Sequence, residues 1–262
     1  MGLPRLDELL MLAIPALAVI ATWWHHARVA RGRLPVARSL TGIPLLEEHL
    51  SEGVESGRPL HIATGTSRPG TIGVTAESLA SLAIAERLAS RATRPGSTLI
   101  VSNGDIVNQA AVRGTLHRAH RQAGLRHEYQ AAQARLVAHQ TPIAYAAGVT
   151  QRYRAEQMDM SVVVGDYGAE ALLITEEGAQ RNLPHIAGTT SLTALPVLTL
   201  NTAATLVGEE LHAAEAYLSD ADTPKARLLT LDTLRLVVVL LIMAAIVYRL
   251  LDTTLGLGLP AL

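Results

Sequence analysis

The sequence predicts an α/β fold, an open, mostly parallel Rossmann-like sheet lying between two terminal transmembrane helices. Three observations carry this expectation. Long apolar segments stand near both ends, at residues 9–24 and 236–248. No apolar stretch between them is long enough to span a bilayer. Within that centre, short apolar runs alternate with longer helical patterns at roughly 30 residues per unit, the rhythm of strand–helix–strand units.

The first segment, "LLMLAIPALAVIATWW", contains no charge. At 1.5 Å per residue it spans roughly 24 Å, a little short of a ~30 Å hydrocarbon core. Trp23 and Trp24 can lie at headgroup level and extend it, and Pro15 is placed to kink it. A cleaved signal peptide carries its positive charge before the apolar run. Here His25, His26, Arg28, Arg31, Arg33 and Arg38 follow it instead, the polarity of an uncleaved anchor. The second segment, "LVVVLLIMAAIVY", continues past Arg249, whose side chain can snorkel to the interface. Basic residues thus flank the central region on both sides, with Lys225, Arg227 and Arg235 before the second helix. By the positive-inside rule the central region is expected in the cytoplasm and both termini outside, in the cell inner (plasma) membrane.

Three parts follow: 1–41, an N-terminal transmembrane helix with a basic juxtamembrane segment; 42–220, a cytoplasmic α/β domain; and 221–262, a linker and C-terminal transmembrane helix. In the middle part, residues 59–65 read as a strand. Residues 74–94 read as a helix, ended by Pro95-Gly96. "STLIVSNG" is a second strand, and residues 105–123 are a helix stopped by Gly124. "LRHEYQ" reads as a polar edge strand and residues 131–156 as a helix with Pro142 as its break point. "MSVVVGDYG" is a buried strand, 169–180 a helix and "LPHIAGTT" a further strand. A long helix ending "GEELHAAEAYLSD" closes the domain, with Val207, Leu211, Ala214 and Leu218 as its apolar stripe. "SDADTPKAR" reads as the linker.

Composition excludes several chemistries. The 262 residues have 49% hydrophobic content, a mean hydropathy of +0.25 and a net charge of −1. The hydropathy fits a membrane segment, and the charge gives no global pull toward nucleic acid. Cysteine is absent, which removes disulfides, thiolate metal sites and cysteine nucleophiles. Lys225 is the single lysine and stands beside a proline, so P-loop and Schiff-base lysine chemistry have no candidate. The preference for arginine, with abundant alanine, matches a GC-rich genome.

In an open parallel sheet, ligands bind outside the carboxyl ends of the strands. The turns expected there are polar and glycine-containing. They bring Gly65, Thr66, Ser67, Arg68 and Gly70 after the first strand, and Asn103, Gly104 and Asp105 after the second. Asp166 and Tyr167 follow the fourth strand, and Thr189 ends the fifth. "HIATGTSRPGTIG" fits neither G-x-G-x-x-G nor a P-loop. Its backbone N–H groups and Arg68 can hold an anion at a helix start. The same glycines also serve as ordinary turn residues, and the Thr, Ser, Asn and Asp as helix caps. No catalytic residue is indicated. His117 and His120 share a helix face with Arg113, which opposes a cation. Glu209 and His212 form one Glu-x-x-His, whereas di-iron bundles need two such motifs and two further Glu. No G-x-S-x-G elbow supports a serine hydrolase. No metal site and no cofactor is therefore assigned.

The stretches "VVVGDYGAEALLITEEG" and "HIAGTTSLTALPVLTLNTAATLVGEELHAAEAYL", with the terminal membrane helix, resemble an uncharacterised family of prokaryotic integral membrane proteins carrying a domain of unknown function. That resemblance implies a membrane location and nothing about catalysis.

The function expected from the residues is non-enzymatic. It is that of a membrane-anchored cytoplasmic α/β module in assembly, scaffolding or partner binding. The alternative is a small-molecule or nucleotide-binding protein, or an enzyme, with its site at the strand ends. The expected partners are the lipid membrane, further copies of the chain in a homo-oligomer, and another membrane or cytoplasmic protein; no nucleic acid is expected. Small residues such as Ala13, Ala16, Ala244 and Ala245 let membrane helices approach closely.

Overall fold

The computed structural model describes residues 6–33, 40–67, 69–70, 74–93, 97–219 and 221–255. The chain divides into two compact units: Met1–Ala37 with Asp220–Leu262, and Arg38–Ser219.

The second unit is the α/β domain. Its strands are β1 (Leu60–Ala63), β2 (Leu99–Asn103), β3 (Ala134–Leu136), β4 (Met160–Val164), β5 (His185–Thr189) and β6 (Ala204–Val207). They form one sheet in the order β3-β2-β1-β4-β5-β6, with every neighbouring pair parallel. This is the doubly wound order, in which the chain leaves β1 in one direction and β4 continues on its other side. The central strands β1, β2, β4 and β5 are buried at every position. Their near-continuous apolar runs follow from that, since a parallel sheet is covered on both faces.

Helices α2 (Gly42–Ser56), α3 (Val74–Thr93), α4 (Ile106–Gln122) and α8 (Glu209–Tyr217) contribute to one core. Leu46, Leu50, Ile84, Leu88, Val112, Leu116 and Leu211 meet Leu60, Ile62, Val101, Val162 and Val164 there. Helices α5 (Pro142–Ala155), α6 (Ala171–Gln180) and α7 (Leu195–Leu200) contribute to the other. It joins Tyr145, Val149, Ile174 and Leu198 to Ala63, Val163 and Ala187. Alternate strand residues point to opposite faces, so Ile62 and Ala63 enter different cores.

Three sequence-based assignments are corrected. "LRHEYQ" is turn and irregular chain, and the edge strand is β3, inside the region read as helix. Residues 131–156 are a 3₁₀ turn at Ala131–Gln133, then β3, then α5, which Pro142 opens instead of breaking. Three residues are too few to show a strand period. β3 exists because Val101–Asn103 pair with it. The long closing helix is likewise α7, β6 and α8. Gly208, with φ +57°, turns the chain between β6 and α8. Val207 is therefore an exposed strand residue, while Leu211, Ala214 and Leu218 are buried as expected.

The first unit contains α1 (Leu6–Val29) and α9 (Asp222–Leu255), which pack on each other. Ala21, His25 and Val29 recur every fourth residue along α1 and are buried, as are Ala226 and Thr230 on α9. His25 Nε2 lies 2.8 Å from Thr233 Oγ1, and the Arg28 guanidinium sits 5.3 Å over the Trp24 ring. Most of the segment read as a linker belongs to α9, because Pro224 falls in the first turn, where a missing N–H costs nothing. Among the described residues one helix is long and apolar enough to cross a membrane, Asp222–Leu250, with a mean hydropathy of 2.3 over its most apolar window. The other expected span lies in α1, where the side chains of residues 9–12 and of Ile14 fall outside the described residues.

Candidate functional site

The switch point lies between β1 and β4, where the loops leaving their carboxyl ends diverge to opposite faces. The turn after β1 carries Thr64 to Gly70, and that after β4 carries Gly165 to Glu170. The ends of β2 and β5 flank them. Among the described residues, the turns expected from the sequence are thus brought to one edge. Arg68 lies outside the described residues.

The loops lock into one another through backbone. Gly65, with φ +75°, has its Cα side facing Asp166: a Cβ there would stand 2.9 Å from the Asp166 carbonyl oxygen. Gly104 N–H donates to the Gly65 carbonyl at 2.9 Å, and a Cβ on Gly104 would come within 2.6 Å of Thr66 Cγ2. Ser67 Oγ donates to the Asp166 carbonyl at 3.4 Å. The Ser67 carbonyl accepts from Asn108 Nδ2 at 3.1 Å. Gly70 N–H donates to Thr75 Oγ1 at 2.8 Å. Asp105 caps α4, its Oδ1 accepting from the N–H groups of Val107 at 2.8 Å and Asn108 at 3.0 Å. Thr189 is fully buried, and its Oγ1 accepts from Ser191 N–H at 3.1 Å. Each of these residues thus has a structural partner.

Two further features mark this edge, one at Glu77, which sequence reasoning missed, and one at Asn103, which the sequence already places here. The first is Glu77, in the first turn of α3 and 3% exposed. Its Oε1 accepts from Thr190 N–H at 2.6 Å and from the Thr190 hydroxyl. Burial raises its pKa above the ordinary carboxylate value, against the Thr190 N–H that lowers it, and the nearby Asp166 raises it further. Glu77 and Asp166 are close enough here to interact, and Asp105 and Glu170 stand in the turns after β2 and β4. The second is Asn103. Gln109 Nε2 donates to the Ala134 carbonyl at 2.7 Å, which orients that amide. Asn103 Nδ2 must then donate to Gln109 Oε1, at 2.5 Å. Asn103 Oδ1 is left buried without a hydrogen-bond partner.

Beneath the edge a polar chain crosses the sheet. The Tyr153 hydroxyl lies 2.6 Å from Ser161 Oγ. Ser161 Oγ lies 2.9 Å from His61 Nδ1, and His61 Nε2 lies 2.9 Å from Ser102 Oγ. The Ser102 carbonyl accepts from the Tyr145 hydroxyl at 2.9 Å, and that oxygen accepts from Gly65 N–H at 3.2 Å. Burial lowers the His61 pKa to about 3, with Arg152 and His185 adding to the effect. Burial pushes the Tyr145, Tyr153 and Tyr167 hydroxyls up. The sequence signal was a polar residue inside largely apolar strands, His61 in β1, Ser102 in β2 and Ser161 in β4. Only the register, with His61 opposite Ser161, joins them.

Two cavities open at the opposite, amino-terminal edge of the sheet. One, of about 650 Å³, is bordered by the chain entering β4 and β5 and by His49, Arg58 and Tyr153. The other, of about 390 Å³, lies by Ser97, His120 and Gln133.

The class so defined is a doubly wound α/β domain with an apolar terminal helix. A family model described as a domain of unknown function, DUF6754, matches residues 5–258, and the chain belongs to that family. No curated protein and no solved structure matches it.

Proposed function

We propose that this protein is a membrane-anchored α/β module that works by assembly or by binding a partner, without catalysis. The observation carrying this reading is α9. Its candidate span, 222–250, has 6% of its most apolar window buried within the protein. Leu236, Leu240, Leu241, Ile242, Ile246 and Leu250 are all more than half exposed. A row of large aliphatic side chains in water would cost about 25 cal/mol per Å², whereas a bilayer accepts them. Most loop residues at the carboxyl edge hold one another, Asp105, Ser67 and Thr189 among them, which supports a binding or assembly role over a reactive centre; the exceptions are the buried Asn103 Oδ1 and the Tyr167 hydroxyl, which have no partner.

In the full form of this reading α1 also spans, the basic residues on both sides keep the α/β domain in the cytoplasm, and both termini lie outside. The expected partners are the inner-membrane lipid, other copies of the chain and a further membrane or cytoplasmic protein. A cysteine at Ser51, exposed on α2 of the cysteine-free chain, should resist a membrane-impermeant thiol reagent in intact cells and react once the cells are opened, and one placed after Asp252 should react in intact cells. Extraction of the protein by alkaline carbonate without detergent would sink the anchoring itself.

The second reading is a small-molecule or nucleotide site at the β1–β4 switch point. The strand order and the orphaned Asn103 Oδ1, which suits a ligand N–H or O–H, favour it. Bulky residues at Gly65 and Gly104 are poor probes, because their Cβ atoms would collide with Asp166 and Thr66. Asn103→Asp, nearly isosteric, is the better variant.

A further inference from the structure

We propose that His49, Glu52 and Asp159 bind a divalent transition-metal ion at the mouth of the larger cavity. His49 and Glu52 stand three residues apart on α2 and so share a helix face. Asp159 comes from the residue before β4, where its N–H donates to the Pro59 carbonyl at 3.1 Å and holds it in place. Sequence separation hid this set, because more than a hundred residues lie between its halves.

The geometry favours a metal over a simple ion pair. Glu52 Oε2 lies 3.0 Å and Asp159 Oδ2 3.1 Å from the same atom, His49 Nδ1. That nitrogen carries at most one proton, so it can satisfy one carboxylate well, not two. Two anions on one nitrogen leave net negative charge at a site where the Asp159 side chain is 9% exposed. A divalent cation removes that charge. Ligand atoms bound at about 2.0–2.2 Å in tetrahedral or octahedral geometry stand roughly 3–3.5 Å apart, the separation seen for both pairs. All three donor atoms lie within 4.8 Å of one another, and Glu52, 53% exposed, is free to close the remaining gap.

One imidazole and two carboxylates suit a first-row divalent ion, Zn²⁺, Co²⁺ or Mn²⁺, over Mg²⁺ or Ca²⁺. Three protein ligands leave positions open to the cavity of about 650 Å³. Two arginines border that cavity, Arg58 and Arg181, and Arg181 is taken up by Glu177 at 2.7 Å.

The test uses the full chain in mild detergent, stripped with a chelator. Zn²⁺ binding is followed by titration calorimetry, and Co²⁺ binding by its visible d–d absorption. The wild type should take up one equivalent with a protein-ligand Co²⁺ spectrum. His49→Gln should abolish that spectrum, and Glu52→Gln and Asp159→Asn should each weaken binding at least tenfold. Glu48→Gln, on the exposed side of α2, should bind like the wild type. Circular dichroism checks each fold, and Glu52, being exposed, can be changed without unfolding the domain. Unchanged affinity in Glu52→Gln, an unchanged spectrum in His49→Gln, or no binding at about 1 mM metal would overturn the proposal.

Discussion

Acidification should destabilise the α/β domain between pH 7 and pH 5, through two buried histidines. His61 is fully buried with both ring nitrogens against serine hydroxyls, and its pKa is lowered to about 3. His185 is 1% exposed. Its Nδ1 donates to the Leu183 carbonyl at 2.7 Å, and burial lowers its pKa to about 4. In the unfolded chain both titrate near 6.5. The folded pKa values are depressed, so the unfolded state binds protons first. The stability is present above pH 6.5 and is lost as pH falls toward 4 and then 3. Each pH unit below 6.5 costs about 1.4 kcal/mol per histidine, so at pH 5 each costs about 2 kcal/mol and the pair about 4 kcal/mol. At pH 5 both folded forms are still neutral, so this figure depends chiefly on the unfolded value. His212, half-buried, shifts in the same direction. Among the carboxylates, Glu177, held at about 2 by hydrogen bonds from Arg154 and Arg181, loses its contribution only at lower pH, and Glu77, raised by burial, acts in the opposite sense by binding its proton more readily in the folded state. Pulse proteolysis in urea, run at pH 7 and pH 5, reads the domain directly. In His61→Asn the stability at pH 7 should drop, because Ser102 and Ser161 lose their partner, and the acid-induced loss should roughly halve. A pH-independent urea midpoint, or an acid loss equal in wild type and variant, would refute the assignment of neutral buried histidines.

Two further outcomes are expected from packing. Gly178→Ala should cost stability at or beyond the upper end of the ~1–3 kcal/mol typical of overpacking, because its Cβ would stand 1.7 Å from His185 Cε1. The double variant with His185→Ala should lose less than the sum of the two single changes, by urea midpoint. Asp105→Ala should cost about 1 kcal/mol, since two N–H groups of α4 lose their acceptor. Its local effect is faster hydrogen exchange at Val107 and Asn108.

By itself the sequence determined the class of fold. Buried parallel strands such as "SVVV" read as apolar runs, and helices such as 74–93 carry their own period and stop signals, so local pattern and tertiary outcome agree. It also determined the apolar character of the last helix, because the charge-free run "LVVVLLIMAAIVY" needs no partner to be recognised. The tertiary structure decided the rest. β3 and β6 are short edge strands that exist through pairing with Asn103 and Thr189, and at three and four residues they are too short for a strand period to be recognised. The polar turns were legible as turns, yet their interlocking was not, since the contact of Gly104 with Thr66 or of Glu77 with Thr190 depends on strand order. The same holds for the His61 chain and for His49, Glu52 and Asp159. Their residue types stand in plain view along the chain, but their chemistry arises only where distant backbone segments bring single atoms within about 3 Å, the range in which hydrogen bonds and ligand polyhedra form.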